Sequence, residues 1–289
     1  MKRFFLPLLF LCVSTVFAQE QSILISAPWL KEHLKDPDLV VLQVSFLKLD
    51  YDKEHIEGAR FLWPAWLAPD TPQGSFNAPD PVALSEVLRN LGVNANSRVV
   101  ICHVRNEVSP SARMFLTLED AGLKGKVFFL NGGLEAWKKE GFPVTTVEPV
   151  VKKGNFKAKS SGLLVNKEYV LKAMGSPDQV VVDARIQRFY DGEPTGLPRD
   201  GHIPGAKNIP YTEMVDQSNM FKPADQLQTY FTPVAGKDKE LVTYCFIGQT
   251  ASVVYMAGRI LGYNMKLYDG SLQEWTRIAE LPMEVTPKP

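Results

Sequence analysis

The sequence predicts an α/β protein of two tandem domains, each a short parallel sheet flanked by helices. Two observations carry that prediction. A series of four landmarks occurs twice in the same order, and each copy alternates short Val-rich runs with amphipathic stretches. Short continuous apolar runs suit strands buried on both faces. Strand and helix in alternation build a parallel sheet.

In the first half the landmarks are Leu39-Val40-Val41-Leu42-Gln43-Val44, Glu54-His55-Ile56-Glu57-Gly58-Ala59, Arg98-Val99-Val100-Ile101-Cys102-His103 and Asn131-Gly132-Gly133-Leu134-Glu135-Ala136-Trp137. In the second they return as Val180-Val181-Val182-Asp183-Ala184-Arg185, Gly201-His202-Ile203-Pro204-Gly205-Ala206, Glu240-Leu241-Val242-Thr243-Tyr244-Cys245 and Asp269-Gly270-Ser271-Leu272-Gln273-Glu274-Trp275. A repeat this long means duplicated domains and not a solenoid. The spacing places an insertion around Gly192 to Asp200 in the second half and a longer middle around Pro64 to Pro81 in the first. Ser252 to Leu261 puts Val253, Val254, Met256, Ala257, Ile260 and Leu261 on one helical stripe, with Gly262 as its stop. Trp137 and Trp275 close equivalent helices and read as core. The halves join through Pro143 to Gly162, which gives domains over 19–150 and 151–289.

The first eighteen residues stand apart. Lys2 and Arg3 precede an apolar stretch from Phe4 to Val16, and Val16-Phe17-Ala18 offers a small-residue cleavage site. That is the layout of a signal peptide over 1–18, and it predicts export, to a bacterial periplasm, with Gln19 as the new terminus. The stretch falls short of the ~20 residues a spanning helix needs, so no membrane attachment is expected after cleavage. Leu11 is too bulky for a lipoprotein site at Cys12. Lys plus Arg and Asp plus Glu both number 32, a balance with no basic excess for nucleic acid. Small molecules or proteins are the expected partners.

Ligands of parallel α/β sheets bind at the carboxyl ends of the strands. Cys245 lies where such a strand ends, followed by Phe246-Ile247-Gly248-Gln249-Thr250 and a helix. A tight strand-to-helix loop aims backbone N–H groups inward and stabilises negative charge. A thiol there is favoured as thiolate, the nucleophilic form. Gly248 lets the loop turn sharply. Gln249 and Thr250 are placed to hydrogen-bond a substrate, with capping of the helix the preferred role of Thr250. The competing reading of Cys245 is an inert buried cysteine. Cys102 aligns with Tyr244 and reads as core. His103 aligns with Cys245 and cannot carry sulfur, so the first half is expected to be silent, and the two cysteines are not expected to pair.

These residues carry a resemblance to the tandem-domain rhodanese family of thiosulfate and 3-mercaptopyruvate sulfurtransferases, from about Ser26 to Trp275. The matching pieces are Asp183-Ala184-Arg185, Gly201 to Ala206, the Cys245 loop and Tyr268 to Ser271 with Trp275; His55 to Ala59 and Asn131 to Leu134 match the non-catalytic domain. The resemblance implies an active site in the cleft between the domains and a persulfide on Cys245. It implies an anion-binding arginine after the Asp-x-Arg run, here Arg188, shifted by one position. Thiosulfate-type loops resemble Cys-Arg-Lys-Gly-Val-Thr and mercaptopyruvate-type loops Cys-Gly-Ser-Gly-Val-Thr. This loop has neither the cations nor the serine, and Phe246 and Ile247 make its rim apolar, suited to a hydrophobic thiol or a docking protein. His55 and His202 share a landmark and read as structural, although the mercaptopyruvate subgroup keeps a catalytic role for His55 open. Histidines at 33, 55, 103 and 202 have no metal-ligand spacing, and no phosphate-binding glycine motif occurs; no metal or cofactor is expected.

The function expected is transfer of a sulfane sulfur from thiosulfate or a related donor to a thiophilic acceptor, such as a thiol or a thioredoxin-like protein. 3-Mercaptopyruvate is the alternative donor, and a non-enzymatic sulfur-carrier or partner-binding module the alternative class. A cysteine-dependent phosphatase needs an arginine six residues after its cysteine to clamp phosphate; here that residue is Ala251.

Overall fold

The structure, a computed structural model, describes residues 22–72 and 74–286. The leader predicted at 1–18 lies outside them. In chain order the first half runs β1 (Leu24–Ile25), α1 (Ala27–His33), β2 (Leu39–Val44), α2 (Lys48–Lys53), β3 (Arg60–Leu62), α3 (Pro81–Asn90), β4 (Arg98–His103), α4 (Val108–Leu118), β5 (Val127–Leu130) and α5 (Gly133–Lys139). The second runs β6 (Leu164–Val165), α6 (Lys167–Ala173), β7 (Gln179–Asp183), α7 (Gln187–Tyr190), β8 (Lys207–Asn208), α8 (Ala224–Phe231), β9 (Glu240–Tyr244), α9 (Ala251–Ile260), β10 (Asn264–Tyr268) and α10 (Ser271–Trp275). Residues 146–163 between them carry no helix or strand.

The halves repeat each other in detail. Each holds a five-stranded sheet, in the orders β1-β5-β4-β2-β3 and β6-β10-β9-β7-β8, and all the strand pairs are parallel. Val41 pairs with Val100 as Val181 pairs with Val242. Even the capping recurs. Ser26 accepts from Trp29 N (3.2 Å) to start α1, and Asn166 accepts from Tyr169 N (3.0 Å) to start α6, each satisfying a helix N–H that would otherwise lack a partner. The expected insertion at Gly192 to Asp200 is a loop, and Pro64 to Pro81 is mostly loop before α3.

α9 carries the stripe read in the sequence and buries more than it. Ala251 through Gly258 are all buried, because α4 of the first half covers the face that would otherwise meet water. α4 is buried from Pro110 to Leu118 in turn. One hydrophobic cluster therefore crosses the seam. A buried leucine- or valine-sized side chain contributes about 1.5–3 kcal/mol, so this paired burial holds the halves in one orientation. Glu119, fully buried after α4, accepts from Tyr255 Oη (2.7 Å) and Arg259 Nη1 (3.0 Å) of α9. Trp137 and Trp275 sit in two separate outer clusters, as expected of core.

Candidate active site

Cys245 follows the last residue of β9, the middle strand of its sheet, and is 1% exposed. The start of α10 holds its loop: Leu272 N donates to Cys245 O (3.0 Å) and Gln273 N to Phe246 O (2.9 Å). Cys245 N donates to Ser271 Oγ (3.3 Å). Beyond it, the backbone N–H groups of Phe246, Ile247, Gly248, Gln249 and Thr250 find no acceptor among the described residues. A row of free amide donors behind a nucleophile is a ready cradle for an anion.

Gly248 has φ +80°, and a methyl group there would stand 3.0 Å from Arg113 Nη1 and 3.3 Å from Asp269 O. Both the turn and the crowding require glycine. Thr250 occupies the N-cap position of α9, but its hydroxyl makes no cap bond, contrary to expectation. Its backbone is already helical (φ −70°, ψ −28°), whereas a capping side chain needs an extended one. Ser252 Oγ instead donates to Gly248 O (2.9 Å).

The rim is aromatic. Phe246 lies against Phe189 (5.5 Å between centroids) and under the Arg185 guanidinium (5.1 Å). Arg185 is itself fixed by Asp183, both buried, through Nε (3.0 Å) and Nη2 (2.6 Å). Arg188 lies outside this stack. Its guanidinium sits over Phe189 (4.6 Å), and its side chain is 59% exposed. The structure thus places Arg188 on the outer rim, one aromatic ring removed from the Cys245 loop, with Phe246, Ile247, Gln249 and Thr250 half-buried between.

A second cation packed against the loop comes from the other half, and sequence reasoning missed it. Arg113 of α4 is fully buried; its Nη2 donates to Asp269 (2.5 Å), while Nε and Nη1 have no partner among the described residues. The signal was present: a lone arginine inside the apolar helix Val108 to Leu118 is too costly to bury for nothing. Asp269 also accepts from Ala78 N (2.8 Å). Gln273 brackets Ser75, accepting from its N–H and donating to its carbonyl, both at 2.8 Å. A first-half segment around Ser75 to Ala78 is thereby fastened beside the second-half loop, so both halves build the site.

Both histidine landmarks are structural. His55 Nδ1 and Nε2 lie 2.8 and 3.1 Å from the carbonyls of Tyr51 and Val147, so both ring nitrogens are engaged by backbone. His202 Nδ1 lies 2.8 Å from Tyr190 O.

With this geometry in hand, comparison with known proteins is decisive. The profile of the Rhodanese-like domain matches residues 26–140 and 166–278. The chain belongs to the rhodanese family. It is 32% identical to the Sulfur carrier protein TtuD of Thermus thermophilus, over 90% of this chain and 96% of that one. It is 30% identical to the 3-mercaptopyruvate sulfurtransferase of Escherichia coli (90% and 97%) and 28% to the Thiosulfate sulfurtransferase of Azotobacter vinelandii (89% and 94%). The solved SseA 3-mercaptopyruvate enzyme of E. coli superposes with a TM-score of 0.77 at 29% identity, covering 87% of this chain and 99% of that one.

Within this rhodanese pair, the first half shows what replaces the nucleophile. His103 occupies the Cys245 position, 1% exposed and stacked on Phe129 (5.6 Å between centroids). Burial pulls its imidazole pKa down to about 4. Gly133 has φ +57° and is pressed against the ring, where a methyl group would stand 2.8 Å from it. The counterpart of Gly133 is Ser271, left-handed at φ +50° although it is not glycine. Cys102 is buried and unpaired, and burial pushes its thiol pKa well up.

Proposed function

We propose that this rhodanese carries sulfane sulfur on Cys245 and that thiosulfate, or a related anionic donor, loads it. The observation that carries the reading is the row of free N–H groups from Phe246 to Thr250, with Arg113 Nη1 unpartnered beside Gly248. The Cys245 thiolate attacks the outer sulfur of thiosulfate. The S–S bond breaks, sulfite leaves with the electron pair, and a persulfide remains on Cys245. The loop amides and Arg113 stabilise the anionic sulfur, as preorganised donors do. A second thiophile then takes the outer sulfur and the Cys245 thiolate is restored. Such a covalent carrier follows ping-pong kinetics.

Arg113, buried behind the loop, supplies positive charge that the loop itself lacks, and Arg188 supplies charge at the mouth. The acceptor must reach past Phe246 and Ile247, which favours a thiol on an apolar molecule or on a thioredoxin-like protein. The 3-mercaptopyruvate reading rests on the relatives of that name, because the loop lacks the serine of that subgroup. Export through residues 1–18 belongs to the same proposal, and places sulfur transfer in the periplasm.

Intact-mass and peptide mass spectrometry after incubation with thiosulfate, and separately with 3-mercaptopyruvate, tests the reading. One added sulfur on the Cys245 peptide, removable by cyanide, is the expected result with thiosulfate. Loading by 3-mercaptopyruvate alone transfers the assignment to that donor. No sulfur with either donor sinks the carrier role.

A further inference from the structure

The first half contains a cavity away from the Cys245 loop. It measures about 480 Å³ and lies between β3, the end of α3 and the linker residues Glu148 to Val151. That volume falls within the ~300–1,000 Å³ usual for small-molecule sites. No residue of the Cys245 loop, of α10 or of the Ser75 segment lines it.

Its walls have two features. Tyr51, Phe61 and Trp66 form an aromatic cluster, with centroids 5.8 Å apart for Tyr51–Phe61 and 5.7 Å for Phe61–Trp66. Trp66 is still 40% exposed, so part of the cluster is uncovered. Beside it stands Arg60, whose guanidinium binds the carbonyl of Leu91 and has no carboxylate partner among the described residues. Its Nε is buried without an acceptor. Burial pulls the Arg60 pKa below its ordinary value, yet an arginine stays charged in proteins. The nearby acids are engaged elsewhere: Asp52 (2.5 Å) and Glu148 (2.6 Å) both hold Lys48 at the rim.

A half-buried guanidinium that meets no carboxylate directly is costly, and a ligand that supplied one would offset part of that cost. We propose that this cavity binds a small monocarboxylate with a flat aromatic body, its carboxylate on Arg60 and its ring among Tyr51, Phe61 and Trp66. A guanidinium with no carboxylate in hydrogen-bond contact matches a carboxylate, and flat rings pack well against aromatic walls. Because Glu148 to Val151 form one wall, the ligand would touch the segment that joins the halves.

Titration of the full mature protein with benzoate, followed by tryptophan fluorescence, tests the proposal. Benzyl alcohol reports the ring without the charge. Saturable binding of benzoate is expected, with benzyl alcohol weaker by about tenfold or more, the worth of a charge-assisted hydrogen bond. Arg60→Gln should reduce benzoate binding to the level of the alcohol. Asn90→Phe, which fills the cavity mouth and leaves Arg60 in place, should abolish both. Neither variant should alter sulfur loading of Cys245. Equal binding of benzoate and benzyl alcohol, benzoate binding that survives Asn90→Phe, or no saturable binding at all would overturn the site.

Discussion

Arg113 of the first half and Gly248 of the second are packed so closely that a methyl group on Gly248 would stand 3.0 Å from the Arg113 Nη1. The nucleophile loop is thus backed by a cation that its own domain does not supply. The Arg113–Asp269 bond (2.5 Å) aims that cation, and the buried α4–α9 seam keeps the aim.

Replacing Arg113 should therefore cost anion handling before it costs fold. A charge-assisted hydrogen bond contributes about 1.5–3 kcal/mol, so Arg113→Met should lower kcat/KM for thiosulfate by roughly tenfold to a hundredfold. Arg113→Lys keeps the charge but not the fork, and should fall between the two. Steady-state kinetics with cyanide as acceptor checks this. Equal kcat/KM for wild type and Arg113→Met would remove Arg113 from the site.

Ser271 is held at φ +50°, a conformation that costs a non-glycine residue about 1–2 kcal/mol. Its hydroxyl accepts from the Cys245 N–H. Ser271→Gly releases the backbone cost and deletes the acceptor. The variant should unfold at the same temperature or higher, yet load sulfur more slowly, by about fivefold for one lost hydrogen bond near 1 kcal/mol. Thermal melts and single-turnover loading separate the two effects. A variant both stable and fully active would show that the left-handed serine is incidental.

The contrast between the halves explains what was legible in the sequence. Strands β2, β4, β7 and β9 were readable because burial on both faces imposes a local apolar run. The loss of the cysteine in the first half was readable from one residue, His103, and the Cys245 loop from its place after a strand. Arg113, Asp269, Gln273 and the segment at Ser75 were not. Their meaning rests on bonds between residues 156 and 198 positions apart, made when the two halves dock. The burial of the rest of α9 was hidden for the same reason, since α4 covers the face beside the stripe. Arg188 was found by analogy of position, and its guanidinium stacks on Phe189, which packs against Phe246 of the loop.

Gln273 makes two hydrogen bonds to Ser75 across the interface. Gly74 is pressed so closely on its side chain that a methyl group there would stand 2.3 Å away. Gln273→Ala should release the Ser75 segment at a cost of about 1–3 kcal/mol. Limited proteolysis should then cut near Ser75 while the rest of the chain stays resistant. An unchanged digestion pattern would mean that Asp269 and its bond to Ala78 N hold the segment alone.

His103 makes stability depend on pH. Its native pKa is pulled to about 4 by burial, against an ordinary value of 6.5. Because the native value is the lower one, the unfolded chain binds the extra proton between these limits. Stability from this group is complete above pH 6.5 and is lost as pH falls toward 4, by roughly 3 kcal/mol in all. His103→Leu removes the proton-binding group from both states. Carboxylates shared by the two proteins titrate alike and cancel in the comparison. Urea midpoints measured at pH 7.5 and pH 5 should therefore fall farther in the wild type than in His103→Leu. Parallel losses in both proteins would show that the buried imidazole is not what acid attacks.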